Sequence, residues 1–452
     1  MKYRPDIDGL RAIAVLPVIF FHAGSPIFSG GFIGVDVFFV ISGFLITDIL
    51  MRELDANDFS ILRFYERRAR RILPALFLVM LTCIPFAWLL MLPDPLENFG
   101  QSLVATALFS NNILLNLTSG YWDLAAEFKP LLHTWSLAVE EQYYIVMPLL
   151  LWSIWAINRR LRTLVIALVA LASFIACQYW TQTNPDHAFY MLDARAWELM
   201  IGSLTAIARQ KGLTQRNDIL AGGGLLAIFA SIFFFDEQTA FPGYAALLPT
   251  LGTAAIIAFS KPESWVGKLL SLRILVGIGL ISYSLYLWHQ PVFAFTRILS
   301  AEEPEPLVMF GLIAPIFLLS YISWKFVETP ARDHSCTPFR PLLGATVSFW
   351  LVLTGTGFAL HAYNGPPETI RELLDLGAFF SVNGGQLKPN AKKIHDLLHR
   401  IALDHHHVGA ADELPERRGG GDEAGRHALF EAATCQLGDA QKLDLVAQIA
   451  GA

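Results

Sequence analysis

The sequence predicts an all-α integral membrane protein, a polytopic bundle of about 10 to 11 transmembrane helices with a short soluble C-terminal tail. Hydrophobic residues make up 54% of the 452 residues and charged residues only 16%, whereas soluble domains carry about 25% charged residues. Apolar runs close to the ~20 residues that cross a bilayer recur from Leu10 to about Leu360. The first run lacks a small-residue cleavage site, so a cleavable signal peptide is not expected.

The loop charges predict the orientation of the bundle. With the N-terminus in the cytoplasm, the strongly basic connections all fall on the inner side and the acidic ones on the outer side. The segment 99–116 is expected to be re-entrant or superficial, because counting it as a span would place the basic segment 158–162 outside. The eleven predicted spans are residues 10–23, 31–50, 72–92, 138–157, 163–180, 191–209, 219–235, 243–260, 273–297, 306–326 and 342–361.

Composition predicts three regions: a main transmembrane domain at 1–335, a further helix and linker at 336–364, and an extracytoplasmic tail at 365–452. The tail carries 22 charged residues in 88 and no run long enough to span. Part of it faintly resembles TatD-like metal-dependent hydrolases but lacks their His-x-His pair. Adjacent histidines cannot all face one ion on a regular element, so the run 405–407 is expected to be solvated loop. Neither a metal site nor a disulfide framework is expected.

Arg11 and His22 form the first candidate site. Only uncharged residues separate them, and at 3.6 residues per turn they share a helix face, about 16 Å apart along the axis. Ionisable groups in a membrane are costly and by default indicate a site, although membrane-edge anchoring remains an alternative for each residue alone. A guanidinium suits phosphate or carboxylate recognition, and an imidazole suits proton transfer.

The span 31–50 and the basic run that follows it supply further candidates. Asp36 is predicted at the level of His22, where a carboxylate could orient the imidazole. Ser42 is a substrate-pocket candidate, although close helix packing is the favoured interpretation of this small residue. The inner arginines match the geometry of phosphate groups, with topology alone as the alternative explanation. They are Arg63, Arg67, Arg68, Arg70 and Arg71.

Two later segments bring polar side chains into predicted spans. HTWSLAVEEQYY contains His133, Glu140 and Glu141, and at most one of the two glutamates is expected to face the core with His133. A dipole contribution in the first helical turn is the alternative for this glutamate pair. YSLYLWHQPV places Tyr283 and His289 on a polar stripe, and an interfacial aromatic belt does not account for the histidine.

These motifs together resemble the acyltransferase-3 family of bacterial membrane proteins, in the branch of O-antigen acetylases and peptidoglycan O-acetyltransferases. The resemblance rests on YRPDIDGLRAIAVLPVIFFH, FFVISGFLIT, the Arg-rich run ending in ILP, WSLAVEEQYY, SYSLYLWHQP and FVETPAR, in order over residues 1 to about 335. The family's Arg-x10-His motif maps onto Arg11 and His22. Its Arg-x-x-Arg motif maps onto Arg67 and Arg70 or onto Arg68 and Arg71.

The resemblance implies transfer of an acyl group, usually acetyl from acetyl-CoA, to a hydroxyl of an envelope glycan such as O-antigen, exopolysaccharide or peptidoglycan. It implies acyl-CoA as donor substrate, no permanently bound cofactor, no nucleic-acid partner, and the bacterial inner membrane. The family's fused SGNH domain is not expected, because the tail is short and shows no Gly-Asp-Ser start. A polytopic transporter or flippase for a glycan or anion is the alternative, since intramembrane ionisable groups serve such relays equally well.

The predicted mechanism places coenzyme A phosphates on the inner arginines and His22 as general base for the acceptor hydroxyl, with a transient acyl-histidine as the less favoured variant. Asp36 or one of the two glutamates would hold the imidazole tautomer. The candidates are therefore His22, Asp36, Glu140 and Glu141 for catalysis; Arg11, Arg67, Arg68, Arg70 and Arg71 for donor binding; and Ser42, His133, Tyr283 and His289 for the substrate pocket.

Overall fold

A computed structural model describes residues 3–118, 125–236, 238–300, 303–333 and 339–361 of the chain. Within these ranges every regular element is helical and none is a strand. The predicted tail at 365–452, with His405, His406, His407 and the TatD-like segment, lies outside the described residues. The described part belongs to one compact unit, Met1–Tyr363.

The first half of this unit begins with a long helix that leads to the outer side of the predicted topology. The helices are α1 (Pro5–His22), α2 (Gly34–Asp55), α3 (Ile61–Leu90), α4 (Pro93–Ala107), α5 (Asn111–Leu117), α6 (Thr134–Asn158), α7 (Arg162–Thr183), α8 (Pro185–Tyr190) and α9 (Leu192–Gln210). Short 3-10 turns occupy Pro26–Phe28, Gly31–Ile33, Ala126–Phe128 and Arg159–Leu161.

The second half continues as α10 (Asp218–Phe234), α11 (Leu247–Phe259), α12 (Trp265–Leu270), α13 (Arg273–Leu280), α14 (Ser282–Leu299), α15 (Pro306–Gly311), α16 (Ile313–Ser323), α17 (Thr329–Arg332) and α18 (Phe339–His361). A π-helix at Trp324–Glu328 joins α16 to α17. Such turns are rare and frequently occur at functional sites. This one carries the buried carboxylate of Glu328.

The predicted all-α, polytopic membrane class is confirmed. Each of the eleven predicted spans overlaps at least one helix, and five stretches are long and apolar enough to cross a membrane. They are Gly31–Asp55, Ile61–Leu90, Arg162–Thr183, Pro306–Arg332 and Leu343–His361, with α10 and α11 as shorter apolar helices. The predicted span 273–297 is not one helix, because α13 ends at Leu280 and α14 begins at Ser282.

The segment 99–116 forms two helices separated by a break at residues 108–110. Several of its polar groups bind protein partners. The amide of Asn111 donates to the Thr134 hydroxyl at 2.8 Å and to the Leu131 carbonyl at 3.0 Å. The indole of Trp350 on α18 donates to the Ala107 carbonyl at 3.1 Å. Irregular backbone is tolerated at membrane depth when protein groups bind it, and here the Gln142 amide donates to the Phe109 carbonyl at 3.0 Å.

Helices α2 and α9 pack with their backbones in close approach. A Cβ atom placed on Gly43 would lie 1.9 Å from the Leu199 carbonyl oxygen, and one on Gly202 would lie 2.1 Å from that of Val40. Only glycine fits at such crossings, as is common between membrane helices. The packing fixes α2, which with α1, α3, α6 and α14 surrounds a cavity.

Candidate active site

A cavity runs between α1, α2, α3, α6 and α14, and with its open mouth it holds about 790 Å³ of unoccupied space. Three guanidinium groups line one part, from Arg11, Arg68 and Arg71. The hydroxyl groups of Ser136 and Tyr286 line another part. Most of the remaining wall is apolar, so the polar groups at these places determine which ligand atoms can bind there.

Three guanidinium groups but only one carboxylate, that of Glu140, line the cavity among the described residues, so its arginine part carries net positive charge. Among the described residues, the nearest carboxylate to Arg11 is that of Asp8, at 3.9 Å. No carboxylate lies within 4 Å of the guanidinium of Arg68 or Arg71 in the described ranges. Helix periodicity explains this pair, since residues three apart on α3 face the same side. The guanidinium groups of Arg68 and Arg71 are therefore suited to an anionic ligand such as phosphate.

The other two arginines predicted for donor binding lie outside this cavity. Arg67 pairs with Glu53 at 2.6 Å. Arg70 pairs with Glu66 at 2.9 Å, donates to the Ala331 carbonyl at 3.2 Å and is 2% exposed. Both side chains bind protein partners outside the cavity, which does not fit their predicted role in donor binding. Of the two ways to map the Arg-x-x-Arg motif, the structure therefore places only Arg68 and Arg71 at the cavity.

The basic run also has a partner in the loop before α3. The Arg63 guanidinium lies 2.7 Å from the Asp58 carboxylate and holds the pKa of that carboxyl below its usual value. Both side chains are more than half exposed, at 52% and 66%. An ion pair this exposed contributes little to stability, and its position away from the cavity gives it no part in the site.

The two glutamates of α6 occupy different environments. Glu140 lines the cavity together with Ser42 and accepts a hydrogen bond from the Tyr144 hydroxyl at 2.7 Å. Glu141 does not line the cavity, and its Oε1 is buried without a hydrogen-bond partner among the described residues. Adjacent helical residues point about 100° apart, which accounts for the split. Tyr283 also lines the cavity and donates to the Ile72 carbonyl at 2.9 Å.

Three imidazoles cluster beside the hydroxyl-lined part of the cavity. The ring of His22 lies 5.1 Å from that of His289, which lies 5.5 Å from that of His133, measured between ring centres. The Tyr286 ring is 5.5 Å from His133 and 5.4 Å from His289. The structure thus brings together three histidines that are distant in sequence, next to Tyr286 in the cavity wall.

Backbone carbonyls fix the orientation of two of these rings. His22 Nδ1 lies 2.9 Å from the Val18 carbonyl, and His289 Nδ1 lies 2.7 Å from the Tyr286 carbonyl. A carbonyl can only accept, so each Nδ1 carries the proton and each Nε2 is left with a free lone pair in the neutral ring. The predicted carboxylate partner of His22 is therefore wrong, because the ring reaches its own helix first.

Asp36 takes part in a different cluster. Its carboxylate is 0% exposed and lies 3.3 Å from the Arg195 guanidinium, which in turn lies 3.4 Å from the Glu198 carboxylate. Four aromatic rings surround Arg195 at 5.4 to 5.8 Å: Phe39, Trp135, Phe189 and Phe241. The prediction that Asp36 orients His22 is wrong. A buried carboxylate without a cation is costly, and Arg195 supplies the cation for Asp36.

Arg195, Glu198 and Arg297 were missed by the sequence interpretation. Arg195 and Glu198 stand three residues apart in the predicted span 191–209, and ionisable residues in a span were a signal available for both. Arg297 is 7% exposed and donates to the carbonyl of His22 at 2.8 Å. This bond ties the C-terminal end of α1 to α14, where a cation is favoured by the helix dipole.

The chemistry of the cavity indicates how the described residues could act on a ligand. An anion can bind at the guanidinium groups, and a proton can be exchanged at Nε2 of His22, whereas Nε2 of His289 is buried. Within the part of the chain that the structure describes, no group of three or more His, Cys, Asp or Glu side chains is arranged to hold a metal ion. The fold and the site define a polytopic helical membrane protein in which three histidines cluster beside an arginine-lined cavity.

The comparison with known proteins gives the family. A family model described as an acyltransferase domain matches residues 4–325, and the chain belongs to this family, the acyltransferase-3 family predicted from its motifs. It is 32% identical over 353 residues to the peptidoglycan O-acetyltransferase OatA of Listeria monocytogenes, covering 74% of this chain and 56% of that protein.

A second relative is the O-acetyltransferase OatA of Staphylococcus aureus, 32% identical over 358 residues, with 75% of this chain and 58% of that protein covered. A putative O-acetyltransferase of a further S. aureus strain is 31% identical over 359 residues, with 74% and 58% covered. The chain thus spans less than two thirds of the length of these curated relatives. No solved structure matches.

Proposed function

We propose that this protein transfers an acetyl group from acetyl-CoA across the bacterial cytoplasmic membrane to a hydroxyl group of a cell-envelope glycan. One observation carries the proposal: a single cavity extends from the guanidinium groups of Arg11, Arg68 and Arg71 to Tyr286, which contacts the histidine cluster. Membership of an acyltransferase family and the names of the O-acetyltransferase relatives support the reaction class.

The donor would bind with its phosphates on these three arginines and its pantetheine arm in the apolar part of the cavity. Along α1, the distance from Arg11 to His22 is about 16 Å at 1.5 Å per residue. An extended thioester arm can bridge such a separation, so the phosphates and the reacting carbonyl occupy different depths. The basic loops on the proposed inner side support entry of the donor from the cytoplasm.

His22 would act as the general base. Its Nε2 takes the proton of the acceptor hydroxyl while the hydroxyl oxygen attacks the thioester carbonyl carbon. The tetrahedral intermediate then collapses, the C–S bond breaks, and His22 gives the proton to the CoA thiolate. The Val18 carbonyl supports this role, because it keeps the ring proton on Nδ1 and leaves Nε2 free.

The acceptor class rests on the relatives alone. The L. monocytogenes protein is named a peptidoglycan O-acetyltransferase, and we propose a glycan of the same kind, with O-antigen and exopolysaccharide as further candidates. Glu140 would bind the substrate at the cavity wall, where its carboxylate can accept hydrogen bonds from sugar hydroxyls. His289 would contact the same hydroxyl-bearing substrate from α14.

Acetyl-CoA cleavage by the purified full-length protein in lipid nanodiscs tests the proposal. We expect slow release of the CoA thiol with water as acceptor, and its loss in His22→Ala, since removal of a general base costs about 10²- to 10⁴-fold. His187→Ala is the matched control, because that histidine lies in α8 and contacts Asp193. Near-normal cleavage by a folded His22→Ala protein would refute the proposal.

A further inference from the structure

We propose that His133 is a second catalytic residue, a neutral hydrogen-bond donor that stabilises the oxyanion formed when the thioester carbonyl is attacked. The inference rests on the proposed function and deepens it. His133 is only 3% exposed, and neither of its ring nitrogens has a hydrogen-bond partner among the described residues. A buried polar group left unpaired costs about 1–3 kcal/mol, so its retention calls for an explanation.

The neighbouring polar groups do not use the ring donor of His133. The ring protons of His22 and His289 are bound to backbone carbonyls. The Tyr286 hydroxyl donates to the main-chain carbonyl of His133 at 3.0 Å, and the Ser136 hydroxyl contacts the same carbonyl at 3.2 Å. The neutral ring of His133 carries one N–H, and this proton has no acceptor within the described residues.

The same contacts hold His133 next to the reacting groups. Ser136 and Tyr286, which anchor its main chain, line the cavity, and its ring lies 5.5 Å from that of His289, which in turn lies 5.1 Å from that of His22. His133 is also close enough to His22 to interact with it electrostatically. A donor fixed in place before the reaction is the most effective kind, because no reorganisation is needed as charge develops.

The proposed step, with His22 as base and His133 as hydrogen-bond donor, balances in atoms and charge. His22 Nε2 removes the hydroxyl proton, the new C–O bond forms, and the carbonyl electron pair moves to oxygen, where the His133 N–H donates to it. When the carbonyl reforms, the C–S bond breaks and the thiolate takes the proton held by His22. His133 keeps its proton throughout, as an oxyanion donor does.

Two substitutions at one position separate this role from the alternatives. The assay is acetyl-CoA cleavage by the full-length protein in nanodiscs. His133→Ala should lower kcat about 10²- to 10³-fold, the usual cost of one oxyanion donor, with little change in KM. The kcat of His133→Gln should be at least tenfold higher than that of His133→Ala, because the carboxamide N–H can donate a hydrogen bond. His22→Gln should show no recovery, since a carboxamide is not a base.

The pH dependence and CoA inhibition supply independent readouts. The Gln variant should keep the pH profile of the unmodified protein, because the base His22 is intact, and inhibition by free CoA should be unchanged in all His133 variants. Where the Ala variant fails to elute as a monodisperse peak, His133→Met replaces it, since methionine fills similar volume without a donor.

The outcomes are distinguishable. Equal losses in the Gln and Ala variants, a raised KM with kcat retained, or a flattened pH profile in the Gln variant would overturn the role of His133. If the unmodified protein shows no cleavage that depends on His22, the proposed function fails instead. If cleavage depends on His22 and is normal in His133→Ala, only the present inference fails.

Discussion

At the scale of single residues, the surroundings of each ionisable group decide its role. The two arginine pairs of α3 differ by one position in sequence, yet Arg68 and Arg71 line the cavity whereas Arg67 and Arg70 pair with glutamates. A one-residue step rotates a helical side chain by about 100°, which suffices to move a guanidinium from a cavity to a protein contact.

This difference predicts opposite behaviour in acetyl-CoA titrations. Arg68→Ala and Arg71→Ala should each raise the KM for acetyl-CoA about tenfold to hundredfold, since a hydrogen bond to a charged group contributes about 1.5–3 kcal/mol. Arg67→Ala should change KM less than threefold, because its carboxylate partner lies outside the cavity. Arg63→Ala, which breaks an exposed pair, is the control. A larger effect at Arg67 than at Arg68 would contradict the assignment.

Sequence reasoning placed some of these residues correctly and failed for others for a physical reason. It put Arg11 and His22 on one helix face, because helical period depends on local sequence alone. It assigned Asp36 to His22, although Arg195 is its partner. That pairing depends on how α2 packs against α9, which the sequence does not state. The Val18 carbonyl as partner of His22 could have been foreseen, since a residue four positions earlier is a neighbour on any helix.

At the scale of helices, the crossing of α2 and α9 sets the wall of the site. α2 carries Val35, Phe38 and Ser42 into the cavity, and its other side meets α9 through Gly43 and Gly202. The buried Arg195 cluster lies between the same two helices. Loss of one member would leave an uncompensated charge inside the protein, so the cluster holds the two helices in one arrangement.

A pair of glycine substitutions tests this crossing. Gly43→Ala should lower the thermal unfolding midpoint in nanodiscs by several degrees, because its Cβ would lie 1.9 Å from the Leu199 carbonyl oxygen and overpacking costs about 1–3 kcal/mol. Gly223→Ala in α10 is the matched control, since nothing lies within 4 Å of its added Cβ. Alanine there should be neutral or stabilising. Equal midpoints for both variants would show that α2 and α9 are not in close contact.

At the scale of the whole molecule, the predicted topology separates basic and acidic loops onto opposite sides of the membrane. The basic residues around α3 lie on the proposed cytoplasmic side, and the acidic loop after α10 lies on the opposite side. The helices that carry these loops are continuous in the structure. The distribution of charge is thus the observation from which the direction of acetyl transfer is inferred.

Cysteine labelling in intact cells tests that polarity. Ala56→Cys, in the exposed turn after α2, should react with an impermeant maleimide only after the membrane is opened, and Gln238→Cys should react in intact spheroplasts. Cys83 and Cys177 are buried, and Cys336 and Cys435 are replaced by serine beforehand. The reverse pattern would place the arginine part of the cavity outside and exclude a cytoplasmic donor.

The single open nitrogen of His22 has a consequence for energetics. In the proposed reaction the same Nε2 takes a proton from an alcohol that arrived from outside and gives it to a thiolate whose CoA remains inside. Each acetyl group that moves outward is thus matched by one proton that moves inward. The exchange is electroneutral and consumes no free proton, because the hydrogen leaves a neutral hydroxyl and ends on the CoA thiol, so the equilibrium would depend on the concentrations of substrates and products and not on the pH difference across the bilayer.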